Sequence, residues 1–154
     1  MSSDGGENKP NLQIIGQYIK DLSFENPGAP AVLGANPEME LGVDLQAKPA
    51  GPDLFEVVLS MRVRANVEGK PLFILELAYA ALVRMVNIPE QAAQQMLLIQ
   101  TPYMMYPFAR RIMADMVRDG GMPPLMIEPI DFATLYQVKM QQAAQQTPST
   151  TDQA

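Results

Sequence analysis

The chain has no cysteine, no histidine and no tryptophan in its 154 residues. Without cysteine there is no disulfide framework and no thiol nucleophile. Without histidine the usual zinc sites, the Ser–His and Cys–His nucleophile pairs and the commonest general base go as well. An enzyme built on this sequence would have to work with carboxylates, lysine, arginine and tyrosine alone. Positive charge is also scarce: 11 Lys and Arg stand against 17 Asp and Glu, a net charge of −6. No Lys/Arg run offers the clustered cations that phosphate neutralisation needs, so no nucleic-acid partner is expected. The acidity favours solubility and basic partners.

Long apolar runs are missing too. Residues 91–109 carry no charge, but Gln94, Gln95, Gln100, Thr101, Pro102 and Pro107 interrupt them. A bilayer core would penalise those amides and that broken backbone, which excludes a membrane span here. The opening MSSDGGENKP has no basic stretch followed by an apolar one, so no secretory signal is read and a soluble cytosolic protein is expected, with no direct membrane insertion.

What the chain does have is methionine, 12 in all. Its flexible, polarizable side chain fills irregular cores and also lines surfaces that accept many partners. The length fits one domain that needs no metal or disulfide staple. Residues 1–10 and 143–154 lack the apolar content to offset their ordering entropy and are expected to be disordered, leaving a single compact unit over 11–142.

Alternation with period two dominates the first half of that unit. KDLSFENP places Leu22 and Phe24 on one face and Asp21, Ser23 and Glu25 on the other. NPGAPAVLGANP reads as a crossing loop. Met39, Leu41, Val43 and Leu45 then alternate against Glu40, Asp44 and Gln46, and Phe55 to Ala65 alternate against Glu56, Ser60, Arg62 and Arg64. A turn at Glu68-Gly69-Lys70 leads into a fourth strand that is apolar on both faces except at Glu76. A strand of that kind is covered on both sides, and the second cover is read as another subunit.

The second half is helical. Pro89 opens one helix, and Thr101-Pro102 restarts another with Thr101 as N-cap. Pro107 either kinks that helix or marks its true beginning. FARRIMADMVRDGG presents Phe108, Ile112, Met113, Met116 and Val117 as an apolar stripe and stops at Gly120-Gly121. MPPLMIEPI is an extended connector, after which Asp131 caps a last helix. Strands followed by helices predict an α+β fold, a four-stranded antiparallel sheet with helices packed on one face.

Catalytic patterns are absent. There is no phosphate-binding glycine motif; Asp115 and Asp119 have Arg110, Arg111 and Arg118 nearby for intrahelical pairing; Arg62 and Arg64 are read as pairing across the sheet with Glu40 or Asp44. What remains is exposed apolar surface in the two Pro-rich segments. It either folds back onto the core or forms a groove for extended apolar segments of other chains.

YIKDLSFENPGAP (18–30), LFEVVLSMRVRA (54–65), PLFILEL (71–77), YPFARRIMADMVRDGGMPPL (106–125) and IEPIDFATLY (127–136) together resemble the bacterial export chaperone family SecB, along residues 11–140. Where that family usually carries a polar residue and a glycine pair after Glu76-Leu77, this chain reads AYAAL, with Ala80 and Ala81 at the glycine places. The resemblance implies a homotetramer, a dimer of dimers, that needs neither ATP nor a metal or other cofactor. It would hold unfolded precursor proteins and deliver them to the SecA translocation ATPase, whose basic zinc-containing C-terminal segment docks on the acidic sheet face. By position the implied docking residues are Asp21, Glu25, Ile74 and Glu76. The implied client groove includes Met39, Leu41, Val43, Leu125 and Tyr136, and the implied oligomer contacts are Leu75, Leu77 and Tyr79. Two other readings stand beside it: a SecB-like chaperone dedicated to one partner, such as a toxin–antitoxin system, and a small-ligand-binding or enzymatic α+β domain.

Overall fold

The computed structural model describes residues 9–146; the disorder expected of residues 1–8 and 147–154 lies outside the described residues. Four antiparallel strands, β1 (Asn11–Glu25), β2 (Glu38–Gly51), β3 (Leu54–Val67) and β4 (Lys70–Val86), form one sheet in the order β1-β4-β3-β2. Strands β2, β3 and β4 are joined by tight hairpins. At the second of these, Glu68 and Gly69 both have positive φ, 51° and 78°, the mirror-image turn whose twist matches the strands it joins. β1 reaches its place beside β4 through the crossing loop of residues 26–37, so the sheet has Greek-key connectivity.

Alternation sets the faces. Leu59 pairs with Tyr79, Met61 with Leu77 and Val63 with Leu75, and all six side chains are buried. Helix α1 (Glu90–Gln95) runs through a π-helical turn at Met96–Gln100 into α2 (Thr101–Asp119), and α3 is Phe132–Gln146. Met105, Ala109, Met113 and Val117 of α2, each four residues apart, join the sheet residues in one core. The α+β architecture with its four-stranded antiparallel sheet is therefore as the sequence predicts. Asp131 also caps α3 as expected, accepting the Thr134 N–H at 3.1 Å and the Thr134 hydroxyl at 2.8 Å. α3 itself continues to Gln146, past residue 142 where composition suggests the folded unit ends.

One expectation needs correction, and a choice left open at Pro107 is decided. Thr101 is not an N-cap: it is helical and buried, and its hydroxyl donates to the Met96 carbonyl at 3.2 Å. Pro102 has no N–H to give and its ring crowds the preceding turn, so the helix widens into a π turn there instead of breaking. Pro107 lies inside α2 and does not begin it. On the helix-free face of β4 the chain supplies only part of the cover, and Ile74 and Ala78 stay half-buried and Glu76 exposed. The crossing loop seals Leu72, with Gly28 N–H donating to the Leu72 carbonyl at 3.0 Å, and Ala80 on the helix-free face is fully buried within the protomer.

That seal depends on Gly28 having no side chain. A Cβ there would lie 2.5 Å from Val32 Cγ2, 2.8 Å from Leu72 Cδ1 and 2.9 Å from the Leu72 Cα. The backbone atom cannot rotate away, so Gly28→Ala is expected to lift the crossing loop and destabilise the protein by about 1–3 kcal/mol. Urea unfolding checks this: the midpoint falls while the slope stays the same, and an unchanged midpoint contradicts the packing argument.

Candidate functional site

The helices leave one sheet face uncovered, and the register places its side chains row by row. Glu25 lies beside Ile74 and Arg64, then Ser23 beside Glu76 and Arg62, then Asp21 beside Ala78 and Ser60. The four implied docking residues, Asp21, Glu25, Ile74 and Glu76, are thus brought together on adjacent strands β1 and β4. Asp21 and Glu76 also rim a shallow depression of about 520 Å³ floored by Gly42, Ser60 and Ala78, with Asp44 on its far side. Small floor residues let an approaching side chain reach the backbone, and Arg62 stands among the carboxylates of the rim.

The cross-sheet pairing expected of Arg62 is corrected here. Arg62 Nε lies 3.0 Å from Glu76 Oε1, its neighbour on β4, while Asp44 pairs with Lys139 of α3 at 3.3 Å. Alternation put all these charges on one face but could not rank neighbours on the two flanking strands. The intrahelical pairing expected of Asp115 is present, with Arg118 at 3.1 Å.

One group on this face has no counterpart among the expected site residues. Glu56 of β3 is only 8% exposed although it lies on the uncovered side. Lys20 of β1 donates to its Oε1 at 2.7 Å, Lys48 of β2 stands 3.5 Å from the same oxygen, and the Tyr18 hydroxyl donates to Oε2. Tyr18 and Val58 are the register partners of Ala80, so the contact between Tyr18 and Glu56 passes over β4 where Ala80 is fully buried. An alanine at a place where the resemblance implies glycine keeps that passage low. The Lys20 hydrogen bond first, then that of Tyr18, hold the Glu56 carboxyl down at about 2, against desolvation. The same bond to Glu56, reinforced by burial and by the carboxylate's charge, lifts the Tyr18 phenol to about 12.

Apolar depressions lie on the helix side of β2. One of about 440 Å³ is lined by Met39, Leu72, Phe73, Met122, Leu125 and Met126, between the crossing loop and the connector. A second of about 260 Å³ has Val43, Leu45, Leu98, Leu135 and Tyr136 in its walls. Met39, Leu125, Val43 and Tyr136 of the implied client groove therefore fall in these two depressions. Leu41 is 44% exposed on the strand between Met39 and Val43. The connector is pinned at its C-terminal end: the Tyr106 hydroxyl donates to the Glu128 carbonyl at 2.6 Å, and Phe132 just beyond packs edge-on against Tyr103 and Tyr106. The nearby α3 is held to the β2 edge by Lys139, whose ammonium also donates to the Leu45 carbonyl.

Leu75, Leu77 and Tyr79, implied as oligomer contacts, are 0%, 2% and 7% exposed and belong to the protomer's own core. The Tyr79 hydroxyl donates to Gln17 Oε1 at 3.0 Å, and burial raises its pKa against the nearby Arg111 of α2. Beyond them, α2 exposes Tyr103, Met104 and Phe108. The stripe read from the sequence therefore splits: Met113 and Val117 are core, whereas Phe108 is solvent-facing.

An acidic open sheet face backed by apolar grooves describes a polypeptide-holding scaffold. The family model of preprotein translocase subunit SecB matches residues 5–143, and the chain belongs to the SecB family of export chaperones. It is 48% identical to the protein-export protein SecB of Xanthobacter autotrophicus, covering 88% of this chain and 89% of the relative. The corresponding protein of Paramagnetospirillum magneticum is 50% identical, over 86% of this chain and 88% of that one. Among solved structures, the SecB-like chaperone of Mycobacterium tuberculosis in complex with an antitoxin peptide shares the fold at a TM-score of 0.61 and 19% identity, covering 77% of this chain and 90% of that one. No helix among the described residues is long and apolar enough to cross a membrane.

The Glu56 cluster has a definite pH signature. Its folded pKa of about 2 lies below the ordinary 4.5, so its stabilisation is fully present above about 4.5 and is lost as pH falls towards about 2. The stability gap between the wild type and Glu56→Gln is expected to close across that window, as followed by urea unfolding at stepped pH. A gap of constant size would mean that the charge of Glu56 contributes nothing.

Proposed function

We propose that this chain holds unfolded precursor proteins in an export-competent state in the cytosol, without ATP, and passes them to the SecA motor ATPase across its helix-free sheet face. The observation that carries the docking half is the meeting of Asp21, Glu25, Ile74 and Glu76 on that face. A basic segment such as the one the family's motor ATPase presents would find carboxylates around a half-buried isoleucine. Complementary charge of this kind speeds encounter and weakens as salt screens it.

The holding half rests on the apolar depressions along β2. Apolar burial contributes roughly 25 cal/mol per Å² and has no directional demand, so one groove accepts many sequences. A folded protein offers no extended apolar stretch and is passed over. Exposed Tyr103, Met104 and Phe108 on α2 support assembly of the protomers into the proposed dimer of dimers, with Leu75, Leu77 and Tyr79 forming the layer beneath. Several grooves on one assembly would then engage one long client together.

The second reading, a chaperone guarding one dedicated partner, draws on the solved neighbour that carries an antitoxin peptide. Identity of 48–50% to export proteins against 19% to that neighbour favours export. Binding to several unrelated precursors decides between them, since capture of a single partner supports the dedicated role.

Asp21→Lys and Glu76→Lys are expected to abolish binding to purified SecA while arrest of client aggregation stays intact. Glu76→Lys also sets a second cation beside Arg62. Leu41→Asp should do the reverse, weakening client holding and sparing SecA. Calorimetry for SecA and light scattering for an aggregating precursor read the two activities separately, and loss of both together in Asp21→Lys refutes the division into two surfaces.

A further inference from the structure

β1 is not a regular strand. Gln17 pairs with Ala81, Tyr18 with Ala80 and Ile19 with Tyr79, but Asp21 pairs with Ala78, so β1 advances two residues while β4 advances one. Lys20 is the extra residue of a β-bulge. Its consequence follows from the period of two. In an unbroken strand, residue 21 would share the face of Ile19, which is the helix side. Because Lys20 is set aside, Asp21, Ser23 and Glu25 instead join Tyr18 on the free face, and Leu22 and Phe24 turn to the core.

The apolar residues on either side favour these two phases, yet they leave open where between them the extra residue goes. If the bulge moved two residues further along β1, Asp21 would point into the helix layer. Something must hold it at Lys20, and one carboxylate on β3 does so from two directions. It takes the Lys20 ammonium on Oε1 at 2.7 Å and the Tyr18 hydroxyl on Oε2, reaching the residues at and just before the bulge across the fully buried Ala80. We propose that Glu56 is the positioning residue of the docking face: by pinning the bulge at Lys20 it fixes the side of the sheet on which Asp21 appears. The functional end of this inference rests on the SecA-docking reading; the structural end does not.

The absence of cysteine allows the two ends to be tested apart. Asp21 lies directly opposite Ala78 in the register, within reach of a disulfide, and a bulge moved two residues along would separate them, so Asp21→Cys with Ala78→Cys reports the phase of β1. Under mild oxidation the pair should crosslink, lose the crosslink on adding Glu56→Ala, and regain it when Lys20 is also deleted, because no extra residue then needs a place between Ile19 and Leu22. A crosslink that survives Glu56→Ala, or one that deletion of Lys20 does not restore, overturns the proposal. Should Glu56→Ala alone fail to fold, recovery of folding on deleting Lys20 supports the proposal and failure to recover overturns it. In the chain without cysteines, Glu56→Ala is expected to weaken SecA binding roughly tenfold while client holding persists, and deletion of Lys20 to restore binding. If the crosslink follows this pattern while SecA binding stays level throughout, the anchor stands and the docking reading falls.

Discussion

One-sided cover of the sheet is the constraint from which the rest follows. The helices pack against one face, so every strand must present apolar side chains there and is free to choose its chemistry on the other. β4 feels this most, since it is flanked by β1 and β3 and meets α2 from above. Its helix side is Phe73, Leu75, Leu77 and Tyr79; its free side is Ile74, Glu76, Ala78 and Ala80. Among the described residues the chain covers the free side at the Tyr18–Glu56 crossing, and the acidic stretch between Glu25 and Asp21 stays open. A holding groove and a charged face can coexist in so small a protein because a single sheet separates them.

Much of this was legible in the residues. Strict alternation over β2, β3 and the second half of β1 gave the faces correctly, because period two survives wherever one face is buried. Resemblance selected Asp21, Glu25, Ile74 and Glu76, and the backbone brought them together. The illegible parts share a cause. Thr101, Pro102 and Pro107 carry strong local signals for a helix start, yet burial of Thr101, Pro102, Met105 and Tyr106 against the core overrode them, and a π turn absorbed the missing N–H. Local preferences of about one kcal/mol yield to packing of this extent.

Charge pairing was illegible for a different reason. Arg62 has acidic residues within reach on both flanking strands, and only the register and side-chain reach select Glu76. The burial of Glu56 was hidden more deeply. It alternates with Val57 like any solvent-facing charge, and nothing nearby in sequence announces that Tyr18 and Lys20 will close over it. The bulge at Lys20 left a trace nonetheless: Tyr18, Asp21, Ser23 and Glu25 cannot share one face of an unbroken strand, since the spacing from 18 to 21 is odd.

The two surfaces differ in the kind of force they use, and that difference suits the proposed division of labour. Apolar depressions lined by Met39 and Leu125 in one case and by Val43 in the other gain from area alone and tolerate sliding, so precise placement of their lining matters little. The recognition proposed for Asp21 and Glu76 would fall off with distance and with salt, so the position of each carboxylate would matter a great deal. The fold distributes order accordingly. Methionine and proline-bounded segments line the depressions, whereas the charged face stands on the hydrogen-bonded ladder of β1, β4 and β3, with a nearly buried carboxylate fastening the strand where its register shifts.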